Sequence, residues 1–165
     1  MAHRIDYDLT EPESAVLMAA TKDAMAAAGA LGASLGSPVG TALQVRAGAA
    51  GGRFGARFTR PRSAVARIEV AEEPDTVREL ARSMLSDTGV VIDDPNAAGD
   101  DSVWGLVGSG ALDMSPALVR VAVEVSASGR SAVAIRATGR EGLIKQAIAA
   151  KAVDRVCAAI GAIGS

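Results

Sequence analysis

The stretch from Pro116 to Ile163 constrains the fold more than any other part of the chain. Val119, Val121, Val123 and Val125 alternate with Arg120, Ala122 and Glu124. A period of two is that of a strand with one apolar face. Ser126-Ala127-Ser128-Gly129 supplies turn chemistry, and Val133, Ile135 and Ala137 then resume the alternation against Ala132, Ala134 and Arg136. The two strands make a hairpin with one oily face, which needs a cover. Ile144, Ile148, Ala152, Val156 and Ile160 recur at helical spacing, so a closing helix can lay one stripe there. Thr138-Gly139-Arg140-Glu141 reads as its capping box: the Thr138 hydroxyl accepts from the N–H of residue 141, and the Glu141 side chain accepts from the N–H of residue 138.

Upstream, the pattern predicts more strands and two more helices. Arg4 to Leu9 reads as a short strand with Ile5, Tyr7 and Leu9 on one face. Thr10-Glu11-Pro12-Glu13 starts a helix, with a Thr cap, a first-turn Pro and acids at the positive dipole end. That helix is expected to run to about Gly29, with Ala15, Met18, Lys22 and Met25 along one side. Ala42 to Thr59 reads as a second hairpin, turning at Ala49-Ala50-Gly51-Gly52, with Phe54, Ala56 and Phe58 alternating against Arg53, Gly55 and Arg57. Ala64 to Val70 is a strand. Glu73-Pro74-Asp75 starts a helix whose inner stripe is Val77, Leu80, Ala81, Met84 and Leu85, and Gly89 ends it. Val90 to Ile92 and Val103 to Val107 are short strands.

Length and composition bound what this can be. The 165 residues suit one α+β domain, 1–165, and 49% hydrophobic with 22% charged residues is a globular balance. A faint echo links Arg4-Ile5-Asp6 before Glu11-Pro12-Glu13-Ser14 with Arg67-Ile68-Glu69 before Glu73-Pro74-Asp75-Thr76. It reads either as convergence on good cap chemistry or as a duplication of 1–62 in 63–165. The lone Cys157 rules out an internal disulfide framework and fits a reducing, cytoplasmic setting. Met1 to Leu9 lacks the pattern of a signal peptide. Ala24 to Val45 is uncharged but rich in Gly and Ser, so no membrane span is expected.

From residue 64 to 163 the order is strand, helix, antiparallel strands and a long C-terminal helix. Ser131–Ala137 leads straight into Gly139-Arg140-Glu141-Gly142. This order resembles helix-grip (START-like) proteins, which bind lipids and small ligands, and TATA-box-binding-protein-like α+β domains. The resemblance is architectural and rests on no diagnostic motif. It implies an antiparallel sheet gripping a helix, with room for a pocket between them, and carries over no catalytic residue.

Charge is segregated along the chain. From Ala24 to Ile68 there is no acid but there are six arginines, Arg46, Arg53, Arg57, Arg60, Arg62 and Arg67. From Glu69 to Asp101 there are ten acids against Arg78 and Arg82. Arginines interleaved with Phe54 and Phe58 could form a nucleic-acid or anionic-partner surface over 46–67. They could equally be an exposed hairpin facing water or the acidic region. A second set, Trp104, Arg120, Arg136, Arg140 and Lys145, could touch a ligand. Arg120, Glu124 and Arg136 lie opposite the valines, a face expected to meet solvent unless it lines a cavity. Trp104 is either a core side chain or a pocket wall. Arg140 and Lys145 flank the expected start of the last helix, where free N–H groups could hold an anion. Asp93, Asp94, Asn96, Asp100 and Asp101 lack calcium-loop spacing and read as an acidic turn.

No Ser/His/Asp set, phosphate loop, dinucleotide glycines or metal spacing is present, so no catalytic residue, metal or cofactor is assigned. The leading expectation is a non-catalytic binding domain for an apolar small molecule or a protein partner, with a homo-oligomer possible. The alternatives are nucleic-acid or anionic-partner binding through the arginine hairpin, and a small enzyme of unknown reaction. A net charge of −2 disfavours nucleic acid as the partner.

Overall fold

The computed structural model describes residues 2–5, 7–35, 42–97, 99–109, 115–126, 128–141 and 146–162. The elements are β1 (His3–Ile5), α1 (Glu11–Leu35), α2 (Ala42–Gly55), a 3-10 turn (Ala56–Phe58), β2 (Arg60–Val70), α3 (Pro74–Thr88), β3 (Gly89–Ile92), β4 (Val103–Ser109), β5 (Ser115–Val125), β6 (Ser131–Glu141) and α4 (Ile148–Gly161). The strands form one antiparallel sheet in the order β1-β2-β6-β5-β4-β3. The fold is α+β, as the alternating strands imply.

One face of the sheet carries the main core. Val119, Val121 and Val123 of β5, Val133, Ile135 and Ala137 of β6, and Ala64, Ala66 and Val70 of β2 all point that way and are buried. Two helices cover them. α3 contributes Val77, Ala81, Met84 and Leu85; α4 contributes Ile148, Ala149, Ala152, Val153, Val156 and Ile160. Gly139 explains how closely α4 descends: a Cβ there would sit 2.4 Å from Ile148 Cγ2. Val125, the last of the alternating valines, runs past the helices and is 69% exposed.

The other face is covered too, which no local pattern announces. α1 crosses β5 and β6 and sets Leu17 against Trp104 and Leu118, with Leu9, Val16, Ile92 and Leu106 around them. Its inner side is Glu13, Leu17, Thr21 and Ala26. Glycine does not end α1 at residue 29. The helix continues to Leu35, and Gly29 instead permits contact with α2: a Cβ on Gly29 would lie 2.2 Å from the Gly48 carbonyl oxygen, and one on Gly52 2.0 Å from that of Met25.

Three further expectations are corrected. Ala42 to Thr59 is not a β-hairpin but α2 and the 3-10 turn. Phe54 and Phe58 fit a strand period of two, but four apart they are equally neighbours on a helix, and the Ala-rich surroundings favour that. The final helix is 14 residues long and starts at Ile148, because β6 runs on to Glu141. Thr138 therefore caps nothing: its hydroxyl is buried 2.8 Å from that of Ser63 on β2. Glu141 does cap the helix, from seven residues back, by accepting the Ile148 N–H at 2.9 Å. Ile144 lies outside the described residues. The strand–cap–helix echo is present as β1–α1 and β2–α3, but α1 and α3 cover opposite faces, and α1 leads into a helix where α3 leads into a strand.

Candidate functional site

Strand register places the polar candidates in one row. Ile92, Trp104, Arg120, Arg136 and Val65 are successive cross-strand partners over β3, β4, β5, β6 and β2. Side chains of such a row share one face, here the one under α1. Arg120 and Arg136 stand directly opposite each other, and like charges so placed repel. Each has its own anion. Arg120 pairs with Asp100 and donates from Nε to Ser102 Oγ at 3.1 Å. Arg136 pairs with Glu13 at 2.7 Å. Both guanidiniums lie 5.6 Å from the Trp104 ring centroid, and that of Arg136 is 3.8 Å from that of Tyr7, so ring faces share the charge.

The face is thus neither solvent nor an open cavity at Arg136, whose side chain is 16% exposed. Glu13 is the residue that sequence reasoning missed. Thr10 and Glu13 form a reciprocal cap: the Glu13 N–H donates to Thr10 Oγ1 at 3.3 Å and the Thr10 N–H to Glu13 Oε2 at 3.1 Å. The Tyr7 hydroxyl, Asn96 Nδ2 and Arg136 also donate to the same carboxylate. Trp104 is 3% exposed, and its indole N–H is buried without a hydrogen-bond partner.

The remaining candidates separate. Arg140 is on β6 and donates to the side-chain and backbone oxygens of Thr59 at 3.0 and 2.6 Å, fastening the end of the 3-10 turn. Burial lowers its guanidinium pKa, though arginine stays charged. Lys145 lies outside the described residues. At the start of the last helix, the Ile148 N–H that could have met an anion donates to Glu141. Of the acidic turn, Asp94 accepts the Asn96 N–H and Asp100 that of Ser102. Among the described residues no group of three or more His, Cys, Asp or Glu could hold a metal ion. Burial pushes the Cys157 thiol up, the wrong direction for a nucleophile.

The arginine set divides as well. Arg46, Arg53 and Arg57 are exposed on α2 and the 3-10 turn. Arg60 and Arg62 belong to β2, opposite Glu141 and Gly139, and take the parity of Ala64 and Ala66 on the other face of the sheet. In place of the expected hairpin surface there is an open groove of about 410 Å³ lined by Lys22, Ala50, Arg53, Phe54 and Arg57. Arg46 lies one helical turn before Ala50. Phe54 and Phe58 meet edge to face at 5.3 Å, and the Arg57 guanidinium is 6.0 Å from the Phe54 centroid. Among the described residues no helix is long and apolar enough to cross a membrane. Comparison of the chain with protein-family models, curated proteins and solved structures gives no match.

Proposed function

We propose that this chain is a non-catalytic binding domain that holds an acidic segment of a protein partner, carrying apolar side chains, on the outer surface of α2. One observation carries the reading. Phe54 and Phe58, exposed by 59% and 71%, touch each other, and Phe54 lines the groove together with the basic side chains of Lys22, Arg53 and Arg57. An edge-to-face aromatic pair left in water is a large apolar patch, and such patches mark contact sites. Aromatics and arginines are also the residues that dominate interface energetics. The positive rim selects an acidic partner and speeds its approach.

A protein segment suits the groove better than an apolar small molecule, because the groove is open and Phe54, its one aromatic lining residue, is exposed. The test is fluorescence anisotropy with a labelled 20-residue peptide of Glu and Asp interspersed with Leu and Phe. Binding should weaken at least about tenfold in the double variant Phe54→Ser/Phe58→Ser, with unchanged thermal midpoint, since both rings are exposed. Arg53→Glu/Arg57→Glu should weaken it similarly and flatten its salt dependence. Peptide affinity indifferent to both variants would overturn the proposal. A labelled oligonucleotide should not bind at physiological salt. Tight binding that falls steeply with salt would replace a protein partner with nucleic acid.

A further inference from the structure

The buried side of α1 supports a second site, independent of the α2 surface. The Glu13 side chain is 1% exposed, and four donors converge on its carboxylate: Arg136 Nη2 at 2.7 Å, the Tyr7 hydroxyl at 3.1 Å, the Thr10 N–H at 3.1 Å and Asn96 Nδ2 at 3.2 Å. Tyr7, Asn96 and Arg136 come from the N-terminal segment, the β3–β4 connection and β6, all outside α1. Charge-assisted bonds of this kind are how proteins recognise a carboxylate. Fold stability alone does not require them, because well-packed apolar side chains often serve as well as a buried ion pair.

Two neighbours point the same way. The indole N–H of Trp104 is buried beside Arg120 and Arg136 and has no partner, an expensive state for a donor unless something accepts from it in another condition. Around it Leu118, Leu106 and Ile92 form an apolar floor, and α1 closes that floor with Leu17 and, in part, Val16, joined by Leu9 just before the helix. α1 makes the main contacts of the α1–α2 layer with the sheet, at β5 and β6, whereas the opposite face is held by two helices and a far larger core.

We propose that the sheet face under α1 is a binding site for an amphipathic monocarboxylate, held shut in cis. Glu13 occupies the place of the ligand's carboxylate and Leu17 the place of the first part of its alkyl chain. Lifting α1 frees Arg136, Tyr7 and Asn96 for the ligand and gives the Trp104 N–H an acceptor. The apparent affinity of the intact chain is then the open-state affinity reduced by the fraction of molecules with α1 lifted.

The probes are decanoate and, as an uncharged control, decanol, titrated against the emission of Trp104, the chain's one tryptophan. Glu13→Gln and Leu17→Ala loosen α1 by different means, and the second leaves the Glu13 carboxylate in place should the first fail to fold. Both should bind decanoate at least about tenfold tighter than the unaltered chain, with a saturable change in emission. Decanol should not share the gain, and Arg136→Gln in the Glu13→Gln background should abolish it. Equal decanoate affinity in the unaltered chain and in each folded variant would overturn the proposal. So would a gain shared equally by decanol.

Discussion

At the scale of single residues, the arginine row shows how the chain keeps charges under a helix. Arg120 and Arg136 face each other across β5 and β6, and each is neutralised by an acid from a distant segment, Asp100 and Glu13. Burial raises the Asp100 carboxyl, but the hydrogen bonds from Ser102 and the Arg120 charge together outweigh it and hold it below the ordinary carboxylate range. A depressed folded-state pKa gives stability that is present above the unfolded pKa and lost as pH falls through the folded one, here below about pH 4. A carboxyl-detected NMR titration should place the Asp100 midpoint below that of an ordinary aspartate, and Arg120→Gln should move it up. A midpoint at or above the ordinary value in the unaltered chain would contradict the pairing. Alternation puts Arg120 and Arg136 on one face in the sequence, but joining them to Trp104 takes the strand register. Glu13 is legible only as a cap acid, because nothing local shows that a first-turn carboxylate will be covered.

At the scale of elements, periodicity is informative where one face is buried and misleading where it is not. The β5–β6 alternation and, of the expected α3 stripe, Val77, Ala81, Met84 and Leu85 match the structure because a packed core enforces them, while Leu80 is only half-buried and lies outside that core. Phe54, Ala56 and Phe58 satisfy a strand period by coincidence: the rings are exposed, so no core fixes their spacing. The start of α4 is misread from sequence because Thr138-Gly139-Arg140-Glu141 has the letters of a capping box, while backbone pairing with β2 claims those residues. The actual cap, from Glu141 to the Ile148 N–H, is a tertiary contact without a local signature. Ile148 seals α4 onto Gly139, so Ile148→Asp puts an unpaired charge into the apolar core and should cost at least about 3 kcal/mol. A denaturant midpoint equal to that of the unaltered chain would show that α4 does not seat there.

At the scale of the whole molecule, the two helical layers differ in kind. Among the described residues, α3 and α4 cover most of the buried apolar side chains, on the valine face. α1 and α2 meet through backbone contacts at Gly29 and Gly52 and present arginines and two phenylalanines outward. Only part of the basic run stays in this layer: Arg46, Arg53 and Arg57 lie on α2 and the 3-10 turn, Arg53 and Arg57 line the open groove with Lys22, and Arg60 and Arg62 belong to β2. The central claim is that the acidic protein segment binds on this outer layer. Chemical-shift mapping of the amides during titration with the acidic, Leu- and Phe-bearing peptide tests it most directly. The account predicts saturable shifts at Lys22 and from Arg46 to Phe58, with β5, β6 and α4 undisturbed. Shifts centred on α3 and α4, or no shifts at a peptide concentration that saturates the anisotropy signal, would contradict it.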